Sequence, residues 1–474
     1  MNNSVADIPL YVDLDGTLIK TDLMFESILL LLKKNIFYAL VLPFWLIKGK
    51  THLKLQLAKR IDLPVSNLPL NTEFYSYLRG QKEAGREIIL ISGSSQRAVT
   101  AISEHIKLFD ASYGSDEDTN LKAKKKLQKI RELSGERGFA YAGNSLDDII
   151  IWQSASQSII VNCYADISQS IGSSQKLSFD QPSSLTIKLL QAIRPHHWLK
   201  NILVFVPLVL SHQILNIELL SLAAVTFISF SLCASSVYVL NDLIDLNNDR
   251  CHWRKRNRPF ASGDLPLIIG FIIGPLFFIT GAIIALFLPL GFQLIFLLYW
   301  FVNLLYSFYL KRLFIVDIFI LSFLYNLRII AGAESISIET TNWLLGFSFA
   351  LFLGLAIVKR VAELHNAITR RKIGIEGRAY KQRHLKLLSS IGIFFSAIAV
   401  SIFAFYISAP ETTELYDAPL ILWAILPLLT YLLYRIWYNA LNQKMNEDPI
   451  IFAATDLIGQ LIVIICGVFI WLAS

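Results

Sequence analysis

The segment that decides the reading is NDLIDLNND, Asn241 to Asp249, set directly behind a long apolar run and directly ahead of the basic stretch RCHWRKRNRP (250–259). Positions 241, 245 and 249 are four apart, so on a helix they form one stripe. An amide and two carboxylates in a stripe are hard oxygen donors, the kind Mg²⁺ takes, and bound Mg²⁺ usually bridges to substrate phosphates. Arg254, Lys255, Arg256 and Arg258 follow at the right distance in sequence to clamp phosphate oxygens. A basic loop with helix-capping aspartates would account for the cations. It would not account for three oxygens in register at the end of an apolar run, where they are costly unless used.

Outward from this segment the chain is apolar. Of 474 residues, 54% are hydrophobic and 12% aromatic, too many for an ordinary soluble protein. A bilayer core about 30 Å thick needs about 20 apolar residues in a helix. Nine stretches qualify, at 199–214, 219–240, 265–288, 291–310, 313–332, 342–358, 387–408, 418–437 and 454–473, the first being the shortest. The loops test the count. With the N-terminus inside, loops 241–264, 311–312, 359–386 and 438–453 hold 17 lysines and arginines. The opposite loops, SHQILNIE, PLG, GAESISIETTNW and APETTELYDA, hold none. That asymmetry is the positive-inside pattern, and an even number of spans would break it. The formal net charge of +7 belongs to these loops, which argues against nucleic-acid binding. Cys163, Cys233, Cys251 and Cys466 show neither metal spacing nor a disulfide framework. The N-terminus lacks the charged and apolar regions of a secretory signal, so the first domain is expected to stay in the cytoplasm.

Residues 1–180 mix charged and apolar residues as a globular domain does. IPLYVDLDGTL is an apolar strand ending in Asp13 and Asp15. EIILISGSS is a second, ending at Ser92, and GFAYAG is a third, ending at Asn144 and leading to Asp147 and Asp148. Strands alternating with helices, with polar residues at the strand C-ends, predict an open parallel α/β sheet whose site lies at that edge. The residue types suit phosphoryl chemistry. Asp13 can attack phosphorus, and Asp15 can protonate the leaving oxygen and then activate water. Ser92 can bind the phosphoryl oxygens and a lysine can neutralise their charge. Asp13, Asn144 and Asp148, with Asp15 beside them, offer Mg²⁺ oxygen ligands. The apolar stretch Phe25 to Ile47 is interrupted by Lys33 and Lys34 and is too short to span. The motifs on either side of it must meet in one site, so it is expected to be a helical cap resting on the bilayer surface.

Over residues 8–165 this arrangement resembles the haloacid dehalogenase (HAD) phosphatase superfamily, with VDLDGTL as the most specific signature. Two departures matter: the last motif begins with Asn144 rather than an acid, and the lysine is ambiguous among Lys122, Lys124, Lys125 and Lys126. NLKAKKKLQKI is similar to the family's NLKG-x-x-K stretch, which favours Lys126.

From about 190 to 474 the chain resembles the UbiA-type intramembrane prenyltransferase superfamily, whose first motif is NDxxDxxxD and whose fold has nine helices. Its polyprenyl-phosphate phosphoribosyltransferase branch, known from decaprenylphosphoryl-phosphoribose synthase, fits better than the rest. AIRPHHWLKNILVFVPL (192–208), KRNRPFASG (255–263), YNLRIIAGA (325–333) and KRVAELH (359–365) carry that likeness. A second motif, DxxxD, serves diphosphate binding in many members. Here Asp317 is followed by Leu321, so the second carboxylate is missing and a different donor is implied.

The expected architecture is therefore a HAD-like domain at 1–180 with its cap at about 20–80, a linker at 181–193, and a UbiA-like transferase domain at 194–474 of nine transmembrane helices. The resemblance implies transfer of 5-phosphoribose from phosphoribosyl pyrophosphate (PRPP) to a polyprenyl phosphate, undecaprenyl or decaprenyl, at the Asn241, Asp245 and Asp249 face. Removal of the 5-phosphate by the fused phosphatase would follow, for cell-envelope glycan synthesis. One Mg²⁺ site is expected in each domain. Lys200, Arg254, Lys255, Arg258, Tyr306, Lys311, Arg328, Lys359 and Arg360 are the candidate phosphate-binding residues, with Arg194 beside them. Arg328 falls inside a span and requires a partner. Glu363 and Asp456 are expected either to bind ribose hydroxyls or to pair with arginines, with pairing favoured. The location implied is the inner membrane, with both sites cytoplasmic and homo-oligomerisation left open. The alternative is prenylation of an aromatic or other small acceptor from a polyprenyl diphosphate, with an unrelated phosphatase.

Overall fold

The computed structural model describes residues 8–116, 119–163, 175–179, 184–369, 374–375, 378–445 and 449–473. Arg370, Arg371 and Lys372, and the first residues of the expected linker, lie outside them. The chain divides into two compact units, one of residues 1–193 and 238–273, the other of residues 194–237 and 274–474.

In the first unit, β1 (Leu10–Val12), β2 (Ile88–Ser95), β3 (Ala111–Ser115), β4 (Ala140–Gly143), β5 (Gln157–Val161) and β6 (Gln175–Phe179) form one sheet in the order β3-β2-β1-β4-β5-β6. Every pairing is parallel. Successive strand residues face opposite sides. Accordingly Leu10, Val12, Ile88 and Leu90 join one apolar core, while Tyr11, Ile89, Ile91 and Tyr141 join another. Parallel strands need crossovers. The one between β1 and β2 is expanded into helices α1 (Leu23–Lys34), α2 (Tyr38–Ile47), α3 (Lys50–Ala58) and α4 (Thr72–Glu83), which are the expected cap. Helices α5 (Gln96–Ile106) and α6 (Lys124–Ser134) follow β2 and β3. Asp22 starts α1 by accepting a hydrogen bond from the Met24 N–H at 2.8 Å. No residue of α2 is buried, and Leu40, Phe44 and Ile47 are among its most exposed side chains.

The same unit takes in segment 238–273, which the expected boundaries place inside the transferase domain. Residues Leu185–Ile193 of the expected 181–193 linker form a helix. Its Ala192 packs with Val239, Leu243, Leu246, Phe260, Leu265 and, from α1, Phe25 and Leu29. This shared apolar cluster joins the helix of Ala192 and Ile193 to segment 238–273 within the first unit.

Among the described residues, seven helices are long and apolar enough to cross a membrane: Ile217–Ile244, Leu267–Ala285, Leu290–Phe308, Val316–Ser335, Asn342–Thr369, Gln382–Ile407 and Pro419–Leu441. The other two expected spans are shorter among the described residues. The stretch 199–214 is a 3₁₀ helix, Pro195–Phe205, followed by a five-residue α-helix, Val206–Leu210. Pro207 has no N–H to donate and fits only a helix's first turn, so the α-helix must restart there. The stretch 454–473 is split by Asp456, whose carboxylate accepts the Gly459 N–H at 3.0 Å and so caps a new helix, Leu457–Ala473, of 17 residues.

Candidate active sites

The N-terminal candidate site lies at the C-end of the sheet. Asp13 follows β1, and its Oδ1 accepts the Leu14 N–H at 2.8 Å and pairs with the Lys126 ammonium at 2.9 Å. Lys126 opens α6 and is buried, and its ammonium is 3.9 Å from Asp148. Of the four lysines left open by the sequence, it is the one that meets Asp13. Lys122 pairs instead with Asp147 at 2.7 Å, and Lys124 and Lys125 are exposed. Tyr141, from β4, donates to Asp148 Oδ1 at 2.7 Å and accepts from Lys126 at 3.1 Å. The other Asp148 oxygen accepts from the N–H groups of Asn144 and Ser145 and from the Ser145 hydroxyl.

Burial pushes the Asp13 carboxyl up to about 6; Lys126 opposes the rise and Asp148 adds to it. Burial alone would lower Lys126, but the facing Asp13 and Asp148 raise it. Burial also pushes the Tyr141 phenol well up, so it remains a donor.

Asp15 stands differently. Its Oδ2 accepts the hydroxyls of Ser92 at 3.3 Å and Ser94 at 2.5 Å, and its Oδ1 accepts the Leu23 N–H at 2.8 Å. Both oxygens are engaged by neutral hydroxyl and amide donors, an arrangement suited to acid–base work. Ser94 was missed by the sequence reading, although it is two residues after Ser92 and so on the same strand face. The Asn144 side chain lies against Gly16: a Cβ there would meet its Nδ2 at 1.9 Å, and φ is +76°. Asp13, Asn144 and Asp148 offer hard oxygens, a donor set that fits Mg²⁺.

The second candidate site keeps its stripe. Helix Ile217–Ile244 passes through Asp245 into a short helix, Leu246–Cys251. The Asp245 N–H bonds to the Asn241 carbonyl at 2.9 Å and the Asp249 N–H to the Asp245 carbonyl at 2.8 Å, so the three residues stay in register. Asn241 and Asp245 are half-buried and Asp249 is buried. One guanidinium nitrogen of Arg258 reaches both Asp249, at 2.6 Å, and Asp242, at 3.0 Å. Lys255 stands 4.0 Å from Asp249, and Arg254 is exposed. Burial raises the Asp249 carboxyl, with Arg258 and Lys255 opposing. Asp242 was passed over because it lies one residue off the four-residue step; burial and a shared arginine bring it in. Amide and carboxylate oxygens in this register also fit Mg²⁺ bridging to phosphate.

In the second unit, Asp317 is fully buried. It accepts from Arg360 Nε at 2.7 Å, from Arg378 at 3.1 Å and from the Tyr380 hydroxyl. Arg360 is equally buried and also donates to Glu363 at 2.5 Å and to the Tyr306 hydroxyl at 3.1 Å. Arg360 and Tyr306, expected as phosphate ligands, are thus joined to each other, Arg360 also to two acids and Tyr306 to Arg378, and Glu363 is paired with an arginine. Arg328 has the partners its depth requires: Asn201 at 2.9 Å, Tyr299 at 2.7 Å and the Leu324 carbonyl at 2.5 Å. Its guanidinium lies 4.9 Å from the Tyr299 ring centre, and the buried Lys200 lies 5.8 Å from that of Tyr325. Lys311 and Lys359 are half-buried, Lys311 in the turn Leu310–Arg312 and Lys359 in helix Asn342–Thr369. Arg194 is also half-buried, with φ at +57°. Asp456 pairs with Arg435 at 2.8 and 3.0 Å.

These features define a multi-pass membrane transferase joined to a parallel α/β domain. The chain belongs to the UbiA prenyltransferase family, which matches residues 202–471. It is 33% identical over 473 residues to the uncharacterized protein y4nM of Sinorhizobium fredii, covering 96% of this chain and 90% of that one. It is 29% identical over 287 residues to the decaprenyl-phosphate phosphoribosyltransferase of Mycolicibacterium smegmatis, covering 59% of this chain and 90% of that one. A solved structure of a UbiA homolog from Archaeoglobus fulgidus, bound to DMAPP and Mg²⁺, is similar with a TM-score of 0.46 at 18% identity, over 60% of this chain and 96% of that one.

Proposed function

We propose that the protein transfers 5-phosphoribose from PRPP to a polyprenyl phosphate and then removes the 5-phosphate. The observation that carries the donor assignment is Asp317. The alternative, a prenyl diphosphate donor, calls for a second acidic motif. Here Leu321 stands where its second carboxylate would be, and Asp317 itself is consumed by Arg360, Arg378 and Tyr380. The name of the mycobacterial relative agrees with this donor and acceptor class.

In the transfer, an oxygen of the lipid phosphate attacks ribose C1. The bond from C1 to the pyrophosphate oxygen breaks and pyrophosphate leaves. Asn241, Asp245 and Asp249 would hold Mg²⁺, which supplies charge neutralisation on the diphosphate. Arg254, Lys255 and Arg258 would bind its remaining oxygens.

The product still carries a phosphate monoester, which the N-terminal domain, HAD-type by resemblance, is built to hydrolyse. Asp13 attacks phosphorus. The ribose 5-oxygen leaves with a proton from Asp15, and water activated by Asp15 then cleaves the aspartyl-phosphate. Lys126 and Ser92 hold the phosphoryl charge, and Asp13, Asn144 and Asp148 would hold the second Mg²⁺.

The expected orientation puts both sites at the cytoplasmic face of the inner membrane. A chain that leaves the first unit at Ile193 and rejoins it at Tyr238 must cross the bilayer an even number of times between them. Helix Ile217–Ile244 is one crossing, and 195–210 is the segment for the other. At about 2.0 Å per 3₁₀ residue and 1.5 Å per α residue it extends to at most about 30 Å, the thickness of the hydrocarbon core.

The test is mass spectrometry of lipids from membranes given labelled PRPP and undecaprenyl phosphate. Wild type is expected to yield polyprenyl-phosphoryl-ribose, and Asp13→Asn its 5-phosphorylated precursor. Absence of any lipid-linked ribose would sink the donor assignment. Full dephosphorylation by Asp13→Asn would sink the phosphatase assignment.

A further inference from the structure

Two acidic centres with different chemistry share the first unit, and one buried ion pair stands between them. Glu26 lies on α1, and its carboxylate meets the Arg250 guanidinium in a fork, at 2.5 Å and 3.2 Å. Both side chains are almost wholly removed from solvent, at 6% exposure for Arg250 and 3% for Glu26. Two further bonds hold the pair: Arg250 Nε donates to the Ala261 carbonyl at 3.2 Å, and the Thr21 hydroxyl donates to Glu26 at 2.7 Å. A two-pronged pair of this kind fixes direction as well as distance.

Each end of the pair is tied to a candidate site. Arg250 is the residue after Asp249, the last oxygen of the stripe, and the loop it holds at Ala261 follows Arg258, which binds Asp249 and Asp242. Glu26 is one turn into the helix whose first N–H, that of Leu23, is bonded to Asp15. The surroundings are shaped for the same contact. Phe25 packs on Phe271 with ring centres 5.6 Å apart, and Lys20 and Lys188 both meet Asp264. Gly263, at φ +79°, lets the chains approach so closely that a Cβ there would stand 2.5 Å from that of Lys20.

We propose that Glu26 is a positioning residue for the membrane transferase: through Arg250 the cap of the phosphatase domain sets the geometry of the diphosphate-binding stripe. Neither residue touches substrate. Their effect is on where Asp249 and Arg258 stand, so it is read in diphosphate affinity. The proposal rests on the reading of the stripe as a diphosphate site.

The test uses the full-length protein in membranes and a readout independent of turnover. Cys251 is exposed and adjoins Arg250, so its alkylation, followed by peptide mass spectrometry, is expected to be slowed by Mg²⁺ with inorganic pyrophosphate. In Glu26→Gln the pyrophosphate concentration giving half protection is expected to rise about tenfold, a usual size for coupling between sites, while aryl phosphate hydrolysis stays near wild type. The exchange Glu26→Arg with Arg250→Glu should recover much of the loss. If Glu26→Gln fails to fold, Arg250→Lys, which keeps the charge and loses the fork, is expected to show the same shift. An unchanged half-protecting concentration in a folded variant overturns the positioning role alone. No protection in the wild type overturns the diphosphate site, and the proposal with it.

Discussion

Asp13 has to be an anion to act as a nucleophile, yet it is buried beside Asp148. Lys126 is what keeps its carboxyl from rising beyond about 6. The protonated form is inert, so aryl phosphate hydrolysis is expected to fall as pH drops through about 6. Lys126→Met removes the opposing charge and should move that acidic limb upward as well as slow the reaction; a limb that stays in place in pH–rate measurements would contradict the pairing. Asp317 and Asp245 make a second contrast. Asp317→Asn leaves the buried Arg360 short of a counter-charge, and removing one partner of such a pair costs about 3–5 kcal/mol. The variant is expected to melt markedly earlier in detergent. Asp245→Asn, on a half-buried face, should change stability by less than about 0.5 kcal/mol while slowing transfer at least about a hundredfold. Thermal unfolding and transfer assays on the two variants separate a structural acid from a working one.

Among the elements, α2 packs by one face only: Tyr38, Leu42 and Trp45 rest, half-buried, on Leu31, Leu53 and Leu57. Its other face exposes Leu40, Phe44 and Ile47, which fits a helix lying in the membrane surface. Leu40→Lys with Phe44→Glu is therefore expected to lower hydrolysis of a membrane-embedded phosphate monoester while leaving a soluble aryl phosphate unaffected. Equal loss on both substrates would point to a damaged cap instead.

The elements also show what could be read from sequence. The strands bearing Asp13, Ser92 and Asn144 were legible because short apolar runs end in polar residues. The stripe was legible because its oxygens repeat every four residues. Lys126 could be narrowed only by likeness until burial separated it from its neighbours. The Glu26–Arg250 pair joins positions far apart in the chain and has no local periodicity. Pro207 and Asp456 carried helix-breaking signals, but hydropathy alone merged the pieces on either side.

For the whole molecule, the division of the chain matters more than the list of spans. A phosphatase domain ending at residue 180 would be separable from the transferase. The structure instead has 1–193 and 238–273 in one unit, sharing an apolar cluster. Deleting residues 1–193 strips Phe25, Leu29 and Ala192 from that cluster and leaves Arg250 without Glu26. The truncated protein is expected to aggregate in size-exclusion chromatography in mild detergent and to lose transfer activity. A monodisperse, active truncation would show that the halves are independent.

The same division has a consequence for biogenesis. The ribosome delivers residues 1–193 first, but the face of α1 that bears Phe25, Glu26 and Leu29 has no cover until residue 273 has emerged. Between those moments the chain must insert helix Ile217–Ile244 into the bilayer. The nascent domain therefore waits, with an apolar surface exposed and Glu26 lacking its arginine, for membrane insertion to bring back the segment that completes it.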